Sequence, residues 1–503
     1  MRSFRRICVW IGVVGVHVLH AQVDSLALRY AASITEEDLA RHLFIIASDA
    51  YLGRDTGKEG QKMAASYLKE QFIQAGISPV PAAGIVDGYF QPFEVVEMRS
   101  GTIALTHGER KYQYGKQIVY TEEHLTQDRA VAELIFIPER IHLPDDQLVG
   151  KVVLMYPEAP VGSGSGMWSG IRKRLDVLRA SGVSMILVCV DDLAGLMSKM
   201  HVTDTHMRLV EHEKRQEKEV RPAQVILVER TALEEIIGGR PFARAVRKGK
   251  IQRLPVSLNV EVTSGDQLLT TENVLAYIAG SDKSDELVVL TAHYDHVGVK
   301  DGVVYNGADD DGSGTVAMIE IAEAFAQAKA AGHGPRRSVL VMAVSGEEKG
   351  LLGSRYYSEH PVFPLSNTVA DLNIDMIGRR DSAHQASAPY VHVIGSDRLS
   401  SGLHEANERA NKTYTKLDLD YTFNAEHDPN RFYYRSDHYN FARKGIPSLF
   451  YFSGIHEDYH QPGDDAEKID LDLLHQRTLL AFHTAWILAN QERRIEVDKP
   501  VKP

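Results

Sequence analysis

The feature that most constrains this chain is an apolar run that stops abruptly at histidine and aspartate. Residues 287–314 read LVVLTAHYDHVGVKDGVVYNGADDDGSG. Leu287 to Leu290 is short, apolar and β-branched in its middle, the pattern of a strand buried on both faces. Polar residues begin where a parallel strand would end, and that carboxyl edge is where open α/β sheets bind ligands. Asp309, Asp310 and Asp311 follow in a glycine-rich loop, and TVAMIEIAEAFAQA after Gly314 has helical periodicity. Three adjacent aspartates repel one another unless cations neutralise them, and imidazole with carboxylate is a donor set that suits zinc. The stretch reads as half of a metal site, whereas three aspartates taken alone read as a solvated turn.

The rest of the chain supplies the other half. SVLVMAVSGEE ends in Glu347 and Glu348, and VADLNIDMIG delivers Asp375. The loop after SLFYF carries SGIHEDYHQPGDD with Tyr459 and His460. Singly these are helix starts and surface loops. Together they are ligand-type residues at successive strand ends. Strands and helices alternate from ENVLAYIAG to a closing helix at about 471–491, which predicts an α/β fold with a mixed, mostly parallel sheet flanked by helices.

Composition allows two or three domains: 503 residues, 44% hydrophobic and 25% charged. MRSFRRICVWIGVVGVHVLHA has the basic start, short apolar stretch and small-residue end of a signal peptide cleaved after Ala21, so the chain is expected to be exported to a periplasm or the medium. No later apolar run reaches membrane length. Loss of three arginines moves the formal charge from −12 to −15, which disfavours nucleic acid and anionic membranes as partners. Cys8 leaves with the signal, and Cys189 in SMILVCV reads as a small buried hydrophobe.

Before the metal motifs, ITEEDLARHLFIIASD reads as a helix entered at Thr35, and a loop of arginine and glycine precedes a second helix ending near Gly76. That loop is read as packing. Residues 111–262 are turn-rich and strand-like with one helical segment, IRKRLDVLRASG, and read as an inserted β-rich domain. The organisation expected is a signal at 1–21, a first part of the main domain at 22–110, the insertion at 111–262, the remainder with the metal site at 263–495, and a flexible tail at 496–503. His201, His206 and His212 read as members of a solvated segment.

HYD, GADDDGSG, SGEE, NIDMIG and DYHQPGD in combination resemble the di-zinc exopeptidases that include bacterial aminopeptidases, glutamate carboxypeptidases and, more distantly, glutaminyl cyclases. GKVVLMYPEAP and LRASGVSMILVCVDD resemble a protease-associated domain. The first resemblance implies two zinc ions per chain. His293 and Asp375 would bind one, Glu348 and His460 the other, and Asp310 both. A carboxylate bridging cations about 3.5 to 4 Å apart offsets their repulsion. Asp295 would accept the second N–H of His293 and fix its tautomer. Glu347 would be the general base towards a metal-bridged water, and Tyr459 would steady the oxyanion. His296 and His456 are left out of the ligand set, and Ser436-Asp437-His438 is read as pocket wall rather than a hydrolytic triad. The implied substrates are peptides, attacked at the N-terminus. Arg379, Arg380 and Arg435 keep a carboxypeptidase in view; a glutaminyl cyclase and a non-catalytic binding protein are the readings from other classes. The sequence leaves the oligomeric state open.

Overall fold

A computed structural model describes residues 23–99, 102–120, 125, 127–139, 148–157, 165–197, 205–210, 223–263 and 266–500. The signal-type segment, His201 and His212 lie outside the described residues. The chain divides into two units, one made of residues 1–92 and 271–503, the other of 93–270.

In the first unit the continuous apolar runs form the strands that they predict. Lys283–His293 pairs in parallel with Arg337–Val344 on one side and Thr368–Ile374 on the other. Thr368–Ile374 pairs in parallel with Ser448–Phe452. The pairings that flank this parallel group are antiparallel: Val274–Ile278 runs against Arg337–Val344, and Tyr390–Ile394 against Ser448–Phe452. Asp418–Asp420 then pairs in parallel with Tyr390–Ile394. The sheet is mixed, as expected. Every residue of Arg337–Val344, Thr368–Ile374 and Ser448–Phe452 is buried, so helices must cover both faces. Gly314–Ala330 and Leu471–Asn490 are buried along most of their lengths and share one core with Glu36–Ile46 and Glu59–Gln74. Thr35 caps its helix, its hydroxyl accepting from the Asp38 N–H at 3.1 Å.

The second unit departs from the expected picture. Its boundaries fall at 92/93 and 270/271, because Ile103–His107, assigned from sequence to the main domain, pairs with Gln252–Val262 in the eight-stranded sheet of this unit. Its centre is parallel: Arg129–Pro138, Val152–Tyr156, Met185–Val190 and Gln224–Glu229 run side by side. Ser165–Ala180 connects two of these strands, and Leu193–Met197, Arg230–Ile237 and Gly239–Lys248 add helices where one was expected. GGRPFARAVRK hid its helix from a periodicity reading behind two glycines and a proline, although Pro is favourable in a first turn. Cys189 is buried, and burial pushes its thiol up to about 12.

The tail after Asn490 is anchored as far as it is described. The Asp498 and Lys499 N–H groups donate to the Leu399 carbonyl, and the Asp498 carboxylate accepts from the Ser401 N–H at 2.9 Å. Among the described residues no helix is long and apolar enough to cross a membrane.

Candidate metal centre

Strand register brings the motif residues to one level. His293 ends its strand opposite Val344, and Asn373 pairs with both Thr291 and Phe450. Glu347, Glu348 and Asp375 follow within a few residues of these ends. Asp310 enters from the loop Ala308–Ser313, which closes at Gly307. A Cβ at Gly307 would lie 2.3 Å from the Asp310 carbonyl and 2.5 Å from the His296 ring, so only glycine fits there.

The five residues expected to hold metal are brought together. His293 Nε2 lies 3.2 Å from Asp310 Oδ1 and 3.6 Å from Asp375 Oδ1. His460 Nε2 lies 3.0 Å from Asp310 Oδ2 and 3.1 Å from Glu348 Oε2. The Asp310 carboxylate therefore faces one imidazole with each oxygen. Glu347 stands beside the group, its Oε2 4.0 Å from His293 Nε2.

The tautomer of His293 is fixed by its other nitrogen, though not by the group the sequence suggested. Nδ1–H donates to the main-chain carbonyl of Asp295 at 3.0 Å, while the Asp295 carboxylate is 3.9 Å away. That carboxylate instead accepts from the Thr56 hydroxyl at 2.6 Å and from the Glu347 N–H at 3.2 Å. A residue two positions on can curl its own carbonyl back to the ring, and this frees its side chain to orient Glu347. With Nδ1 protonated, the Nε2 lone pair points towards Asp310 and Asp375.

Electrostatics indicate what these side chains suit. His293 Nε2, both ring nitrogens of His296, Asp310 Oδ2 and Glu348 Oε1 are buried without hydrogen bonds. Burial favours a neutral His460, yet Glu348 and Asp310 raise it to about 10. Burial likewise opposes ionisation of Asp310, but His293 and His460 hold it well below the usual carboxylate range. The carboxylates thus draw positive charge to one point, and a cation answers the same demand. Glu347 differs: burial, with Asp375 and Glu348 nearby, pushes it well above the usual range despite His293. Two overlapping groups of side chains, His293-Asp310-Asp375 and His296-Asp310-Glu348, have donor atoms close enough to share an ion.

Around these residues stands a layer that the sequence reading only partly found. Asp311 accepts from the N–H groups of His293, Gly314 and Met376, tying two strand ends to the loop. Asp464 accepts from the N–H groups of Asp309 and Asp310. Arg54, in the loop read as packing, is fully buried and donates to the carbonyls of Tyr294, Ile46, Asn306 and Gly307. Ser436 donates to Asp375 Oδ2 at 2.6 Å. Asp437 turns instead to the Ser354 hydroxyl, and His438 stacks on Phe450, so these three form no triad. His296, left out of the ligand set, has Nδ1 2.7 Å from Glu348 Oε1. Its place three residues after His293, in HYDH, was the available signal.

A pocket beside Asp310, Glu347 and Asp375 is walled by Met376, Phe432, Phe450, Phe452, Ile455 and Tyr459, with Arg435 at its edge. Tyr459 stacks on His460 at 3.9 Å, and burial raises its phenol, so the hydroxyl keeps its proton. Arg379 is paired with Asp458 at 3.1 Å, and Arg380 with Asp470 at 3.5 Å.

Residues 273–485 match the model of peptidase family M28. A probable zinc metalloprotease from Pyrenophora tritici-repentis is 27% identical over 278 residues, 46% of this chain and 55% of that protein. A probable leucine aminopeptidase from Aspergillus oryzae is 33% identical over 202 residues, 40% and 37% of the two chains. The chain spans about half the length of the curated relatives it matches. Among solved structures, an aminopeptidase from Aneurinibacillus superposes with a TM-score of 0.59 at 16% identity, covering 95% of this chain and 98% of that one. A zinc aminopeptidase from Bacillus subtilis gives 0.51 at 17%, covering 93% and 99%. These likenesses establish a shared fold.

Proposed function

Because residues 273–485 form a domain of peptidase family M28, we propose that the chain is a zinc-dependent exopeptidase that releases residues from the N-termini of peptides. The observation that carries this reading is the convergence of buried, hydrogen-bond-free His293 Nε2, Asp310 Oδ2 and Glu348 Oε1. Such atoms are costly unless something binds them. The donor set suits two zinc ions: His293 and Asp375 would hold one and Glu348 and His460 the other, with Asp310 close to both pairs. His296 steadies Glu348 from behind.

Zinc bound there supplies Lewis acidity towards the scissile carbonyl and lowers the pKa of water. Glu347 is the general base, held by its N–H to Asp295 and lining the pocket without a ligand's role. The same carboxyl carries the proton to the departing amine. Tyr459, protonated and on the pocket wall, donates to the oxyanion. Glu347 and Asp375 give a free α-amine an acidic berth, and Met376, Phe432, Phe450 and Phe452 favour an apolar side chain next to the cleaved bond.

A carboxypeptidase is the second reading, and it now rests on Arg435 alone, since Arg379 and Arg380 are committed to Asp458 and Asp470. Mass spectrometry of peptides with free or blocked termini, with zinc and with chelator, tests both. Zinc-dependent shortening from the free N-terminus is expected. Shortening from the C-terminus promotes the carboxypeptidase, loss of ammonia from N-terminal Gln a cyclase, and no change the binding-protein reading. The inserted unit is proposed to be protease-associated-like, on the sequence likeness of residues 150–160 and 178–192. Export is proposed from the signal-type segment, and N-terminal sequencing of the mature chain should begin at Gln22.

A further inference from the structure

A second histidine and aspartate cluster lies in the first unit and shares no residue with the centre above. Asp381 and His384 come from the loop before strand Tyr390–Ile394, His392 from within that strand, and Asp420 from the neighbouring strand, in direct register with His392. The loop is anchored through Tyr390. Its ring stacks on His384 at 3.8 Å, its hydroxyl accepts from the Asp381 N–H at 2.9 Å, and it donates to the Ser453 carbonyl at 2.6 Å.

All four ring nitrogens face carboxylates. His384 Nδ1 is 2.8 Å and His392 Nε2 3.0 Å from the two oxygens of Asp381. On the other side His384 Nε2 is 3.3 Å and His392 Nδ1 3.6 Å from the two oxygens of Asp420. Two neutral imidazoles carry only two N–H groups, so two of these four contacts set a lone pair against a carboxylate. His392 is 1% exposed and its Nδ1 makes no hydrogen bond. The cluster lacks two positive charges, which one divalent cation supplies.

We propose that Asp381, His384 and His392 form a third metal site, for zinc or a similar divalent transition metal, with the Asp420 carboxylate behind both histidines. The donor atoms of the three ligands lie within 4.8 Å of one another. A carboxylate behind a metal-bound imidazole is the usual means of fixing its tautomer. With the cation on the Asp381 side, His384 Nε2–H and His392 Nδ1–H both face Asp420, at 3.3 and 3.6 Å, so no lone pair is set against a carboxylate. His384 and Asp420, 17% and 21% exposed, give the ion a way in. Burial lowers the affinity of His392 for protons, so the imidazole is held in the neutral form that binds metal.

The site has a mechanical consequence. Asp381 packs against Gly454, where a Cβ would fall 2.4 Å from its Oδ2, and Gly454 opens the loop that carries Tyr459 and His460. A cation on Asp381 therefore braces the base of that loop without touching substrate.

The test is a count by elemental mass spectrometry on the full chain, loaded with zinc and dialysed, beside His384→Ala, with a zinc-edge anomalous map from zinc-soaked crystals of the unaltered chain. The variant should hold one equivalent fewer, and the map should show a peak between Asp381, His384 and His392. Equal counts, or a map with no peak there, overturn the proposal. The count is a difference, so it does not depend on occupancy at the Asp310 centre, and the map requires no variant to fold.

Discussion

Two parallel strand arrays sit in this chain, and among the described residues the first gathers histidine and carboxylate donors at its strand ends while the second does not. In the first unit the strands around Lys283–His293 deliver His293, Glu347, Glu348 and Asp375 to one level, leaving buried donor atoms without partners. In the second unit the strands Val152–Tyr156, Met185–Val190 and Gln224–Glu229 also end side by side. There the charges answer one another: Arg230 pairs with Asp191 at 2.5 Å and hydrogen-bonds the Tyr156 hydroxyl. The carboxyl edge of a parallel sheet is therefore a place where a site is possible, and what sets the first edge apart is that its unbonded atoms are imidazole nitrogens and carboxylate oxygens, donors that suit a cation, whereas at the second an arginine faces a carboxylate.

The largest effect that sharpens this contrast is expected from Glu347→Gln. The side chain keeps its shape and loses its basicity, so kcat should fall by about 10³- to 10⁴-fold. Zinc content by elemental mass spectrometry should stay at that of the parent, because Glu347 stands beside the proposed ligand atoms rather than among them. A variant that lost metal in step with activity would make Glu347 a ligand and collapse the division of labour between it and Glu348.

A second effect follows from acid. His483, in the first unit, is 2% exposed, stacks on Tyr414 at 3.9 Å, and burial lowers it to about 4. Its folded pKa lies below the unfolded value of about 6.5, so the unfolded chain takes up a proton first as pH falls. Stability is therefore intact above pH 6.5 and is lost down to about pH 4, by roughly 1.4 kcal/mol per pH unit. Relative to His483→Gln, the parent should lose about 3 kcal/mol across that window in denaturant titrations. Parallel curves for the two would show that the histidine charges freely in the fold.

The difference between the arrays was legible in sequence only where a residue type announces its chemistry. His293, Asp310, Glu348, Asp375 and His460 stand out because their donor atoms are ones that metals use, and apolar runs before them mark strand ends. Arg54 did not stand out, since its role is to hold four carbonyls that only the folded chain gathers. Asp464 and His296 act through partners from distant segments, so nothing local assigns them a part, whereas Ser436 reads as pocket wall and donates to Asp375. In the second unit a helix escaped because glycines and a proline mask its periodicity, and a strand beginning before residue 111 escaped because its register is set by a partner about 150 residues away.

His296 gives the next prediction. It contacts Glu348 from the buried side and is expected to orient that ligand, so His296→Ala should weaken zinc binding by about 10- to 100-fold. Competition with a chelator of known affinity reads this directly, and restoring full zinc should recover most of kcat. If recovery fails at saturating zinc, His296 belongs to the chemistry and the boundary drawn between holding and reacting groups moves inward.

The smallest effect belongs to the second array and is the sharpest challenge to the comparison. Asp191 and Arg230 are 38% and 35% exposed, so solvent screens their attraction even at 2.5 Å. Asp191→Asn should cost under about 1 kcal/mol in stability. It should leave hydrolysis unaltered, because this pair only satisfies itself. Thermal melting and kcat/KM on one peptide measure both quantities in the same preparation. A loss of about tenfold or more in kcat/KM with melting unchanged would mean that the strand ends of the second array take part in function. The kind of donor at the strand ends would then no longer separate the two edges.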